Sequence, residues 1–190
     1  STDRIVVTAF KETGLHQILP KITCTGTLGR LREIFSLSHG CISPTENVVP
    51  IYRSLGAPSV EFIPTPYPIE DFRWDFSIPV RERKGIFVGT REFYGYSRNH
   101  LFTLLLSKMI ADETGESVTV INNDAFRGKR LLRAIGFGDR QLRIISGGLP
   151  YSLYMKEMAS HKFVFQLDNS MVPGQVAGDV AAAPETHLVG

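Results

Sequence analysis

Residues 84–111, KGIFVGTREFYGYSRNHLFTLLLSKMIA, constrain this chain more than any other stretch. Gly85-Ile86-Phe87-Val88-Gly89 is a short apolar run rich in β-formers and closed by glycine, the pattern of a central strand covered on both faces. The turn that follows carries Thr90 and Arg91, then an irregular Gly95-Tyr96-Ser97-Arg98 stretch. After it Leu101, Leu104, Leu105 and Met109 recur at helical spacing, with His100, Thr103 and Ser107 on the opposite stripe. A strand that enters a helix through a glycine turn gathers free backbone N–H groups and the positive helix end at one spot. Physically that is an anion site, most often for phosphate, and the two arginines strengthen the reading. The same residues also suit an ordinary strand–turn–helix corner with solvated arginines.

A chain of 190 residues can bury a sizeable core as one domain, or one domain plus part of another. With 43% hydrophobic and 21% charged residues it is of globular composition, and its net charge of +2 exerts no strong pull toward nucleic acid. Cys24 and Cys41 have neither metal-ligand spacing nor the density of a disulfide framework, which favours a reducing compartment. No apolar run approaches the roughly 20 residues of a membrane span, and the start of the chain lacks a signal-peptide layout. The expected location is cytoplasmic, with peripheral contact at the inner membrane face left open.

Taken in order, Arg4 to Thr8 is strand-like and the chain is then irregular to Pro20. Thr27 to Leu37 reads as a short helix. Ser43-Pro44-Thr45-Glu46 reads as a helix start, with Ser43 as cap, Pro44 in the first turn and Glu46 at the capping-box position. That helix runs to Leu55 with Pro50 as a kink, and Gly56 ends it. Val60 to Ile63 is a short strand. Pro58, Pro64, Pro66, Pro68 and Pro79 surround a segment that also holds Phe72, Trp74 and Phe76, which implies a linker packed on a neighbouring body.

Beyond the organising stretch, strands over 117–121, 143–146, 162–167 and 187–189 alternate with helices over 124–135, 151–160 and 175–183. That alternation predicts an α/β fold, a Rossmann-like parallel sheet with helices on both faces. Three regions follow: residues 1–63 as the tail of an earlier domain, 64–83 as a proline-rich interdomain segment, and 84–190 as a Rossmann-like domain. Because residues 187–190 look like a strand cut short, the chain reads as part of a longer protein.

In open parallel sheets ligands bind outside the carboxyl ends of the strands. The candidates are therefore the strand-end loops at Gly89-Thr90-Arg91, Asn122-Asn123-Asp124, Gly147-Gly148-Leu149-Pro150 and 168–174. Thr90 and Arg91 suit a diphosphate, since a guanidinium presents two parallel donors to phosphate oxygens. Asn122 and Asn123 suit a base or ribose, or simply a turn. Asp179 suits ribose hydroxyls, or solvent. Arg127, Lys129, Arg130 and Arg133 make a basic helix face, a solvated surface or a contact for an anionic partner. The five histidines are scattered, with no nucleophile and third partner beside any of them. Neither a Gly-x-Gly-x-x-Gly nor a Gly-Lys-Ser/Thr loop is present, which argues against dinucleotide-binding Rossmann domains and P-loop nucleotidases.

From Ser36 onward the order of features resembles the carboxyl-terminal, donor-binding half of the GT-B glycosyltransferases. The helix and turn over 43–58, the strand at Val60 to Ile63 and the prolines after it are similar to the end of that family's first domain. Phe87-Val88-Gly89-Thr90-Arg91 is similar to its next strand and turn, and Ile144 to Tyr151 and Leu153 to Ser160 to a later strand and helix. The family's pair of acids eight residues apart around a glycine is matched in half: Gly174 is the glycine and Asp179 stands at the second acid. Met171 occupies the place of the first, with Asp168 three residues earlier.

The resemblance implies sugar transfer from a UDP- or GDP-sugar to a polysaccharide or glycolipid acceptor, with no cofactor and no obligatory metal. It implies that Arg91, then Arg98, neutralises the diphosphate, that Asp179 holds donor hydroxyls, and that Gly89, Thr90, Asn122, Gly148 and Gly174 complete the donor site. The catalytic base of inverting members lies in the first domain, so none is assigned. Two other readings stand beside it: a non-catalytic α/β module binding an anionic partner through the basic helix, and a sugar-nucleotide epimerase of the same fold.

Overall fold

The computed structural model describes residues 4–8, 15–64, 67–89, 93–94, 98–138, 140–168 and 175–189. The chain divides into two compact units that meet in sequence at Tyr67 and Pro68.

The first unit is a three-stranded parallel sheet in the order β1-β2-β3, from β1 (Val6–Thr8), β2 (Gly40–Ser43) and β3 (Val60–Phe62). Its helices are α1 (Leu15–Ile22), α2 (Thr25–Leu37) and α3 (Val49–Ser54). Ile18, Phe35, Cys41, Val48, Tyr52, Leu55 and Val60 form its core, with the Phe35 and Tyr52 rings 5.3 Å apart. Here the structure corrects the expected helix start. Ser43 closes β2, and its hydroxyl donates to the Thr45 carbonyl at 2.7 Å, a local turn instead of a helix cap. A 3₁₀ turn over Glu46–Val48 follows, and α3 begins at Val49, which puts Pro50 in its first turn, where a missing N–H costs nothing. Residues 40–43 carry too few apolar positions to announce a strand, and only pairing with β1 and β3 on both sides makes them one.

The second unit is a five-stranded parallel sheet built from β4 (Ile86–Val88), β5 (Val118–Asn122), β6 (Leu142–Ser146), β7 (Phe163–Phe165) and β8 (His187–Val189). Their order is β6-β5-β4-β7-β8. The chain therefore steps outward from β4 to β6, then crosses back to β7, so the direction of winding reverses between β4 and β7. The helices are α4 (His100–Thr114), α5 (Ala125–Ile135), α6 (Tyr151–Ala159) and α7 (Gln175–Ala182). Side-chain alternation along β4 divides the core. Ile86 and Val88 join Leu104, Ala111, Val118, Val120 and Leu132, whereas Phe87 joins Ile121, Tyr154, Met155, Met158 and Val180. All three β4 residues are fully buried, as a central strand with helices on both faces requires.

Trp74 and Phe76 pack against this unit, Trp74 lying edge-on to Tyr151 at 6.3 Å, and Asp75 pairs with Lys156 at 2.6 Å. Phe72, expected to need burial with them, is 97% exposed. No helix among the described residues is long and apolar enough to cross a membrane.

α4 reverses its expected orientation. His100, Thr103, Leu104, Ser107 and Ala111 are buried, whereas Leu101, Phe102, Leu105 and Met109 are exposed. The two hydroxyl residues on the inner stripe satisfy themselves locally. The Thr103 hydroxyl donates to the Asn99 carbonyl at 3.1 Å and the Ser107 hydroxyl to the Thr103 carbonyl at 2.7 Å. Small residues on this stripe let the helix lie close to the sheet, with His100 and Leu104 as its large buried side chains. This orientation sets an ordered expectation for urea unfolding. Leu104→Ala should lose about 2–5 kcal/mol by leaving a cavity, whereas Leu105→Gln should stay within about 0.5 kcal/mol of wild type.

Candidate functional site

The winding reversal places the carboxyl ends of β4 and β7 side by side, joined by the Gly89 N–H donating to the Phe165 carbonyl at 3.0 Å. Gly89 is buried and has no room for a side chain: a Cβ there would stand 2.4 Å from Cγ1 of Val176. The first turn of α7 thus rests directly on the end of β4. Helix N–H groups and the positive helix end are thereby brought to the strand-end crevice.

Next to it, Arg98 Nη1 donates to Asp168 Oδ2 at 2.6 Å, and Gln166 Nε2 donates to the same oxygen at 2.8 Å. The Asp168 side chain is only 7% exposed, against 29% for Arg98, so the carboxylate fixes the guanidinium at the mouth of the crevice. Asp168 Oδ1 and Gln166 Oε1 are buried and accept no hydrogen bond from the described residues. Buried acceptors without donors are uncommon and suit a ligand bearing hydroxyl or N–H groups.

The other expected residues take separate places. Asp179, 1% exposed on α7, accepts from the Tyr151 hydroxyl at 2.6 Å, so this carboxylate ties α7 to α6. Asn122 is engaged in the β5–α5 turn. Its Nδ2 donates to the Ala125 carbonyl at 2.9 Å and its Oδ1 accepts from the Asp124 N–H at 3.0 Å. Gly128 makes room for it, since a Cβ there would lie 2.0 Å from Asn122 Oδ1. Gly148 is exposed, with nothing within 4 Å of the position a Cβ would take. Thr90, Arg91 and Gly174 lie outside the described residues. On α5, Arg127, Lys129, Arg130 and Arg133 are exposed, with the Arg127 guanidinium 4.2 Å from the centre of the Tyr94 ring.

Two contributors were not anticipated from the sequence. Gln166 shares the Asp168 carboxylate, and Tyr151 holds Asp179. Neither belongs to a spacing motif, because the contacts join different elements. Asp124 Oδ2 also accepts the Phe93 N–H at 3.0 Å, and the Phe93 ring lies 4.3 Å from that of His100. Burial pushes the His100 imidazole down to about 4, against an opposing pull from Asp124. Among the described residues, no three His, Cys, Asp or Glu side chains gather as a metal site.

Two units of parallel sheet, the second wound in this order with its crevice at the reversal, have the fold of the GT-B glycosyltransferases. A structure of trehalose-6-phosphate synthase, OtsA, superposes with a TM-score of 0.64 at 13% identity, covering 95% of this chain and 50% of that one. Sucrose-phosphate synthase from Thermosynechococcus elongatus gives 0.60 at 10% identity over 93% of this chain and 48% of its own. A point mutant of S. aureus TarM, solved with fondaparinux, alpha-GlcNAc-glycerol and UDP, gives 0.59 at 10% identity over 84% and 30%. This chain thus spans half or less of each of them. No protein-family model and no curated protein sequence matches it.

Two measurements check this geometry. Gly89→Ala should cost about 1–3 kcal/mol in urea unfolding by forcing α7 off the end of β4. His100 is held neutral when folded and takes up a proton more readily when unfolded. Its stabilising contribution is therefore complete above pH 6.5 and is lost as pH falls toward 4. Wild type should lose about 2 kcal/mol from this source at pH 5, and His100→Gln should flatten that part of the profile.

Proposed function

We propose that this chain is the nucleotide-sugar-binding part of a glycosyltransferase, taking a UDP- or GDP-sugar and passing the sugar to a carbohydrate or lipid-linked acceptor. The observation that carries the reading is the first turn of α7 seated on the end of β4 beside the Arg98–Asp168 pair. A diphosphate leaving group needs positive charge fixed in advance where negative charge develops, and a helix N-terminus with a clamped guanidinium supplies it. Support also comes from what fold relatives hold: TarM was solved with UDP, and a trehalose-6-phosphate protein of E. coli with UDP-2-fluoro glucose.

In this reading Arg91 is the principal diphosphate ligand and Arg98 assists it. Asp168 Oδ1 and Gln166 Oε1 accept from donor hydroxyls. Asp179, tied to Tyr151, supports the donor site from the buried side of α7, and Gly89 seats the first turn of that helix, while Thr90, Gly148 and Gly174 leave room for the nucleotide. Asn122 shapes the neighbouring turn. The protein groups neutralise the diphosphate themselves, so the reaction uses no resident cofactor or metal. The proposed location is cytoplasmic, with the lipid-linked acceptor reached at a membrane surface.

Calorimetry with UDP and GDP tests the reading. One of them should bind saturably, and Arg91→Ala should weaken it by about 1.5–3 kcal/mol, the worth of a charged hydrogen bond. Lys108→Ala, on the outer side of α4, should leave it unchanged. Equal affinity in wild type and Arg91→Ala removes the role of Arg91, and the absence of saturable nucleotide binding removes the function.

A further inference from the structure

The amino-terminal ends of the second sheet enclose a cleft of about 440 Å³, at the end of the strands opposite the proposed donor site. Arg81, Arg83, Lys84 and Lys162 line it, against only two carboxylates, Glu116 and Glu185. Lys84 leads into β4 and Lys162 into β7, so the central pair of parallel strands presents both ammonium groups at one place.

Arg83 makes this more than a cluster of surface lysines. It is 5% exposed, yet its partners are all neutral oxygens. Nε donates to the Ile78 carbonyl at 3.2 Å, while Nη1 donates to the Pro184 carbonyl at 2.6 Å and the Thr186 hydroxyl at 2.9 Å. A buried charge normally has a counter-charge, because removing it from water costs several kcal/mol. Among the described residues no carboxylate pairs with this one, and Nη2 makes no hydrogen bond. Lys162 leans 5.2 Å from the centre of the Phe163 ring, and among the described residues neither it nor Lys84 has a carboxylate partner. Of the two acids, Glu116 already has Oε2 engaged by the Gly85 N–H at 2.7 Å.

We propose that this cleft is a second anion site, binding a small ligand through a phosphate-type group. Arg83 and the two lysines line the cleft and offer donors to one tetrahedral oxyanion, whose charge completes the pairing that Arg83 lacks. Its size suits a small molecule, and the flanking carboxylates disfavour an extended polyanion. The site stands apart from the donor crevice by the length of the sheet, and neither depends on the other.

NMR of the full chain, titrated with inorganic pyrophosphate and separately with glucose 1-phosphate, tests the proposal. Saturable amide shifts are expected at Gly85, Lys162 and His187. Saturation by both probes identifies a phosphate group whether free or sugar-borne, and saturation by one identifies which source the cleft takes. Lys84→Ala combined with Lys162→Ala, both exposed positions, should weaken binding by about tenfold or more while leaving UDP binding unaffected. Glu185→Gln should strengthen it. Amides at this end that stay unmoved at millimolar concentration of either probe, or a double variant that binds as wild type does, would overturn the proposal.

Discussion

The second unit depends on a contact that permits no side chain. At Gly89 the end of β4 meets Val176 so closely that even a methyl group would overlap it. A glycine therefore lets a helix from late in the chain rest its first turn on the central strand. Everything that gives the carboxyl end of the sheet its chemistry follows from that approach. It brings the positive end of α7 beside β7, whose exit carries Gln166 and Asp168, and it places Asp179 on the buried side of the helix, where Tyr151 secures it. The strand order supplies the opening, since winding reverses between β4 and β7.

The two ends of this sheet solve different electrostatic problems. At the carboxyl end an arginine is held by a carboxylate, and the leftover capacity is acceptor oxygen. At the amino end an arginine is held by neutral oxygens, and the leftover capacity is positive charge. In the proposed reading the first arrangement takes a ligand carrying both hydroxyls and a diphosphate, and the second takes an anion. A single parallel sheet can host both because its two ends are separated by the strands themselves and gather different loops.

Helix α4 shows where reading by periodicity misleads. Leu101, Leu105 and Met109 form the more hydrophobic stripe, yet His100, Thr103 and Ser107 are the ones buried. Periodicity reveals that a helix has two faces. It does not decide which of them meets the sheet when small polar residues can return their hydrogen bonds to the helix's own backbone. The first unit gives a similar lesson at Ser43, where a sequence suited to capping a helix instead closes a strand, because β1 and β3 were already there to pair with it.

By itself the sequence determined the alternation of strands and helices from Lys84 onward, the centrality of β4 and the parallel α/β class, because these rest on local composition and period. It also brought Arg98, Asp168 and Asp179 forward as residues of interest, since charged groups near strand ends and glycine turns are legible locally. What only the tertiary structure decided was partnership: that Arg98 meets Asp168 across 70 residues, that Tyr151 meets Asp179, that Gly89 is needed for close packing, and that Arg83 is a buried cation surrounded by neutral oxygens. Such facts depend on which elements lie side by side, and strand order is set by burial of the whole sheet, which no short window of sequence contains.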